Sequence, residues 1–128
     1  MTSTFGYQQC AAALAEVEAI LGNQTAAAKY RALAADITKG FHNMWYNSTN
    51  FPHYCQNSQG CNALALDMGA VPSDVRPRVL QALVDSLEAN DWHVTVGEIS
   101  LPSKSFLLAC TLLDLSCRHR GMLWLAIN

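Results

Sequence analysis

Two amphipathic stripes meet at Gly22, and only "GNQT" separates them. On the N-terminal side, from about Phe5 to Leu21, Cys10, Leu14, Val17 and Leu21 recur at helical spacing, and Gly22 is a natural cap for the helix end. On the other side, from about Gln24 to Trp45, Tyr30, Leu33, Ile37, Phe41, Met44 and Trp45 share one stripe. Two helices joined by so short a turn are expected to lie antiparallel, as an αα-hairpin.

The rest of the chain repeats the theme. "YNSTNFPHYCQNSQGCN" is rich in Asn and Ser, contains Pro52 and reads as a long loop. A short helix follows from about Ser58, its N-cap, to Met68, and ends at Gly69. The next starts near Ser73 and runs to about Asn90, with Val75, Val79, Leu83 and Leu87 as its buried stripe. If Ser73 caps it, Pro77 falls at the fourth helical position, where the N–H has no intrahelical partner to lose. A last helix, from about Pro102 to Cys117, carries Phe106, Cys110, Leu113 and Cys117 on one face. That makes five helices and no convincing strand pair, hence an all-α chain of antiparallel helical hairpins. One stretch breaks the pattern. "NDWHVTVGEIS", Asn90 to Ser100, is a short extended run with β-branched residues and no partner strand in sight.

The 128 residues suffice for one domain, and 51% hydrophobic residues argue against disorder. A net charge of −2, with Lys and Arg few and scattered, gives no footprint for nucleic acid or an anionic membrane. No apolar run approaches the roughly 20 residues of a membrane span. No signal peptide is visible at the start, "MTSTFGYQQC".

Of the five cysteines, Cys10 and Cys110 sit in apolar helical patterns and are expected to behave as small buried hydrophobes. Cys55 and Cys61 flank a polar loop and can close a small disulfide. Two glycosylation sequons, Asn23-Gln-Thr25 and Asn47-Ser-Thr49, point the same way, towards secretion. Five free thiols in a cytoplasmic protein is the plainer alternative, and the compartment stays open. His53-x-Cys55 and Cys117-x-His119 lack the paired spacing of structural zinc modules, so no metal site is expected.

The order of features resembles the catalytic domain of bacterial and fungal α-L-rhamnosidases, six-hairpin (α/α)6 glycosidases. In that family one helix typically begins Thr/Ser-Gln and ends Ala-Leu-x-x-Gly-x-Val-Pro. A later helix runs into His-x-Thr-x-Gly, then Phe or an acid. The matches here are Ser58-Gln59, Ala65-Leu66, Gly69, Val71-Pro72, His93, Thr95, Gly97 and Glu98. The second helix also carries the family's Tyr-x-x-Leu-Ala-x-x-Ile spacing, at Tyr30 to Ile37. The resemblance covers roughly Tyr7 to Leu113, and residues 115–128 depart from it.

It implies a toroid of helical hairpins, of which this single partial domain supplies about five of twelve helices, since a helix and its loop take roughly 16 residues. The family's general acid lies in an upstream acidic segment with an Arg. Its general base is a Glu in a later Gly-Ala-Thr-Thr-x-Trp-Glu-like segment. Neither segment occurs here, and no Glu follows Trp124. The chain is therefore expected to be a fragment or truncated product. It would carry part of a rhamnoside pocket, need no cofactor and be inactive alone.

The odd run after Asn90 would then lie at the mouth of the ring. Gly97 permits close backbone approach. Trp92 offers a face for sugar stacking or, more plainly, caps the core at a helix end. His93 and Thr95 can bond sugar hydroxyls or local backbone. Glu98 is the one carboxylate of the segment, a weak catalytic candidate beside its plainer role at a helix N-terminus. Gln59 is a further sugar-contact candidate. The alternative function is a non-catalytic helical-hairpin scaffold or protein-binding module. An open-ended arc would leave apolar helix faces uncovered and prone to self-association.

Overall fold

The computed structural model describes residues 1–93 and 95. The expected helix from Pro102 to Cys117 lies outside the described residues, as do Gly97 and Glu98. Four helices are described: α1 (Thr2–Ile20), α2 (Gln24–Trp45), α3 (Gln59–Asp67) and α4 (Arg76–Ala89). The chain is an all-α hairpin domain with one small strand pair.

The first hairpin turns where expected. Gly22 takes φ 81°, and Asn23 caps α2 by accepting the Ala26 amide at 3.2 Å. Its contact face differs from the expected one. α1 is buried at Gln8, Ala11 and Ala15, and α2 at Ala27, Ala34 and Phe41. Alanines let two helix backbones approach closely, so the small residues form the seam. The larger apolar residues Leu14, Val17 and Leu21 are exposed, at 45%, 49% and 73%. Cys10 shares that side and is an exposed free thiol, not a buried hydrophobe.

The connection after α2 contains the strand pair that its sequence hid. β1 (Tyr46–Asn47) and β2 (His53–Tyr54) pair antiparallel, Tyr46 opposite Tyr54 and Asn47 opposite His53. Two residues per strand are too few to show a period of two. The pair delivers Tyr54 into the core, where it is fully buried. Its hydroxyl donates to the Ala70 carbonyl at 2.9 Å and lies 2.8 Å from His42 Nδ1. Since that hydroxyl proton is spent on Ala70, His42 Nδ1–H is the donor of the second bond. Burial, with Tyr46 alongside, pushes the Tyr54 phenol far above its ordinary range.

Ser58 caps α3, its hydroxyl accepting the Cys61 amide at 3.3 Å. α4 begins two residues later than a Ser73 cap implies. The Pro72 carbonyl, not the Ser73 hydroxyl, organises its entry: it accepts the Val75 and Arg76 amides at 3.2 and 2.9 Å. Pro77 therefore sits at the second helical position, still among the amides that have no partner. Val79, Leu83 and Leu87 are buried as their spacing implied. They join Phe41, Tyr54, Cys61, Ala65 and Leu66 in one core between the end of α2, β2, α3 and α4.

Cys55 is disulfide-bonded to Cys61, with a Cα–Cα distance of 6.2 Å. The bridge ties the polar loop to the first turn of α3. Closing so short a loop stabilises the fold by about 2 kcal/mol through the unfolded chain's lost entropy. Urea unfolding with and without a phosphine reductant is expected to differ by that amount. Equal midpoints would count against the bridge.

Candidate functional site

Hydrogen bonds gather two connections at one end of the helices. The Cys55 amide bonds the Trp45 carbonyl at 2.8 Å, drawing the loop back onto the end of α2. Asn62 Oδ1 accepts the Tyr54 amide and Asn62 Nδ2 donates to Asn57 Oδ1, both at 2.8 Å, fastening the loop to α3. The start of α3 in turn meets the end of α4 through Gln59. This end thus collects residues 46–58 and the segment after Asn90.

The backbone here is unlike the other turns. All five described non-glycine residues with positive φ lie in these two connections: Asn50, Cys55, Asn57, Asp91 and Trp92. The α1–α2 and α3–α4 turns use Gly22 and Gly69 for the same geometry. A left-handed residue with a Cβ costs about 1 kcal/mol or more, and such residues cluster where function dictates geometry.

The first part of "NDWHVT" is a helix stop. The Asp91 amide bonds Glu88 O at 3.2 Å and the Trp92 amide bonds Leu87 O at 2.8 Å, the paired bonds of a Schellman motif. Asp91, at φ 50°, occupies the position that usually holds glycine. Trp92 follows, half-buried, and packs against the core that contains Leu83 and Leu87. Its indole serves the hydrophobic contact that accompanies this motif.

His93 and Thr95 are exposed. The His93 ring places Nδ1 3.0 Å from the Asn90 carbonyl, which can only accept. The proton is therefore on Nδ1 in the neutral ring, and Nε2 is left as an acceptor. Their backbone is held from beneath by Gln59, which is 2% exposed. Gln59 Nε2 donates to the Ser86 and His93 carbonyls, both at 3.3 Å, and Gln59 Oε1 accepts the Thr95 amide at 2.9 Å. The Ser86 carbonyl lies in the last turn of α4, where intrahelical donors run out. One side chain thus links the end of α4, where Asn90 Nδ2 also donates to the Ser86 carbonyl at 2.7 Å, to the backbone of His93 and Thr95.

The structure therefore brings Gln59, His93 and Thr95 into one cluster and turns Trp92 towards the core. Beside them is an open groove of about 560 Å³ between the loop and α4, with Phe51, Asn57, Arg78, Gln81 and Asp85 in its walls. The sequence did not single out these wall residues: Asn57 reads as one more polar loop residue and Asp85 as one more solvated helix acid. Asn62 left a faint trace: an Asn inside the apolar run "CNALAL" must find buried partners. Among the described residues no group of three or more His, Cys, Asp or Glu could hold a metal ion. No described helix is long and apolar enough to cross a membrane.

A family model described as the bacterial alpha-L-rhamnosidase 6 hairpin glycosidase domain matches residues 1–113. The chain belongs to this family. No curated protein and no solved structure matches it. Within the rhamnosidase hairpin domain, the stretch from Ser58 to Pro72 is α3 with its exit turn. The His-x-Thr pair is the segment that Gln59 holds.

Proposed function

We propose that this chain carries part of the sugar-binding surface of an α-L-rhamnosidase-like glycoside hydrolase and lacks the proton-transfer pair. The family match over residues 1–113 carries this reading. The gathering of two strained connections, with exposed His93 and Thr95, at one end of the helices supports it. The ligand is a rhamnoside. His93 Nε2, the Thr95 hydroxyl and the polar walls of the neighbouring groove supply acceptors and donors for its hydroxyls. Glu98, three residues beyond Thr95 in sequence, is the acid that the resemblance places in this segment. A single carboxylate does not complete the pair that inverting hydrolysis requires, held roughly 6.5–9.5 Å apart around a water. The test is a titration with millimolar L-rhamnose, read by tryptophan fluorescence, with Trp92→Phe as the control that assigns the signal. A saturable change lost in the control is expected. No response to rhamnose or to other sugars removes this reading.

A second reading rests on α1. Tyr7, Cys10, Leu14, Val17 and Leu21 form an exposed apolar stripe, which suits a scaffold or self-associating module. Light scattering is expected to give a mass above that of the 14.0 kDa chain. A monodisperse monomer would remove self-association.

A further inference from the structure

We infer that Gln59 is a positioning residue, a buried clasp that sets where His93 and Thr95 stand. The inference rests on the sugar-binding reading for its purpose, but its geometry stands alone. A primary amide presents one donor edge and one acceptor in a single plane. An extended chain presents a carbonyl and, two residues on, an amide on the same side. Gln59 meets that pattern: its Nε2 bonds the His93 carbonyl and its Oε1 bonds the Thr95 amide. The side chain thus makes to His93 and Thr95 the two bonds that a neighbouring strand would make.

Gln59 is itself fixed at several points. It lies in the first turn of α3, which Ser58 caps and the Cys55–Cys61 bridge ties to the loop. Its third bond, to the Ser86 carbonyl, anchors the amide to α4. Both edges of the amide are thereby committed to backbone. Gln59 acts on a ligand through His93 and Thr95, whose side chains remain free to face solvent.

Two variants test this in the full chain. Gln59→Met keeps volume and removes every hydrogen bond. Gln59→Glu keeps the shape but, when ionised, loses the donor and sets a negative oxygen against the His93 carbonyl. When protonated, its O–H restores that donor, while its C=O still accepts from Thr95. Amide-exchange protection at Thr95 is expected to fall about tenfold in Gln59→Met, while protection at Val79 and Leu83 stays near wild type. In Gln59→Glu, Thr95 protection returns as pH falls through the carboxyl's pKa, which burial raises. The wild-type chain, measured at each pH, is the control. Unchanged Thr95 protection, an equal loss in the core, or no recovery of the Glu variant at low pH would overturn the clasp. Rhamnose distinguishes the two levels. If it moves neither wild type nor variant, the sugar reading fails while exchange still decides the clasp. If it binds both equally, the positioning role fails.

Discussion

The purified 128-residue chain is expected to release no aglycone from an aryl α-L-rhamnoside above the rate in buffer. Glycoside hydrolysis needs a carboxylic acid to protonate the leaving oxygen and a carboxylate to activate water. On the proposed reading, the two segments that the resemblance assigns to these groups are missing from this sequence. Positioned acid and base catalysis contribute about 10²–10⁴-fold each, so their joint absence costs roughly 10⁴-fold or more. On the same reading, what His93 and Thr95 offer is binding. Binding that is equal in ground and transition states does not raise the rate of the chemical step. A chromogenic rhamnoside assay decides the matter. Turnover near the enzyme-typical rate of about 1 per second or faster would contradict this account.

The largest expected effect on stability belongs to Phe41→Ala. Phe41 is 1% exposed and lies near the end of α2, with its ring centre 6.0 Å from that of Tyr54. It is the buried α2 residue of the core that also holds Cys61, Ala65, Val79 and Leu83. The alanine seam joins α1 to α2, and Phe41 helps join α2 to the second hairpin. Truncation removes a ring and leaves a cavity, at a cost of about 3–5 kcal/mol. Single domains have only about 5–15 kcal/mol in total, so the variant should be partly unfolded at room temperature or nearly so. Leu14→Ala, on the exposed stripe, should cost less than about 0.5 kcal/mol in the monomer. Urea unfolding followed by circular dichroism measures both. A Phe41→Ala cost below that of Leu14→Ala would invert the core described here.

Much of this architecture was legible in the sequence, for identifiable reasons. The bounds of α2 were readable because "GNQT" breaks the pattern at one end and the polar loop at the other. Ser58 announced α3 in the same way. The contact face of α1 was not readable, because hydrophobic spacing favours Leu14 and Val17 while the close approach is made by Ala11 and Ala15. Ser73 resembled a cap, yet the Pro72 carbonyl organised the turn, an interaction that no side-chain rule anticipates. At the site, the residue types near His93 were visible but their directions were not. Left-handed Asp91 looks like an ordinary polar residue until its backbone is seen. Gln59 drew notice as a sugar contact, whereas its amide is spent on backbone 34 and 36 residues away.

In the proposed reading, saccharide lies at the end of the helices that collects the 46–58 loop and the segment after Asn90. Backbone amide shifts, mapped while L-rhamnose is titrated into the chain, test it most directly. His93, Thr95 and neighbouring loop amides such as Asn57 are expected to move and saturate, while Gly22 and Gly69 in the other turns stay still. Shifts confined to those glycine turns or to the exposed face of α1, or no shift at any rhamnose concentration, would contradict it.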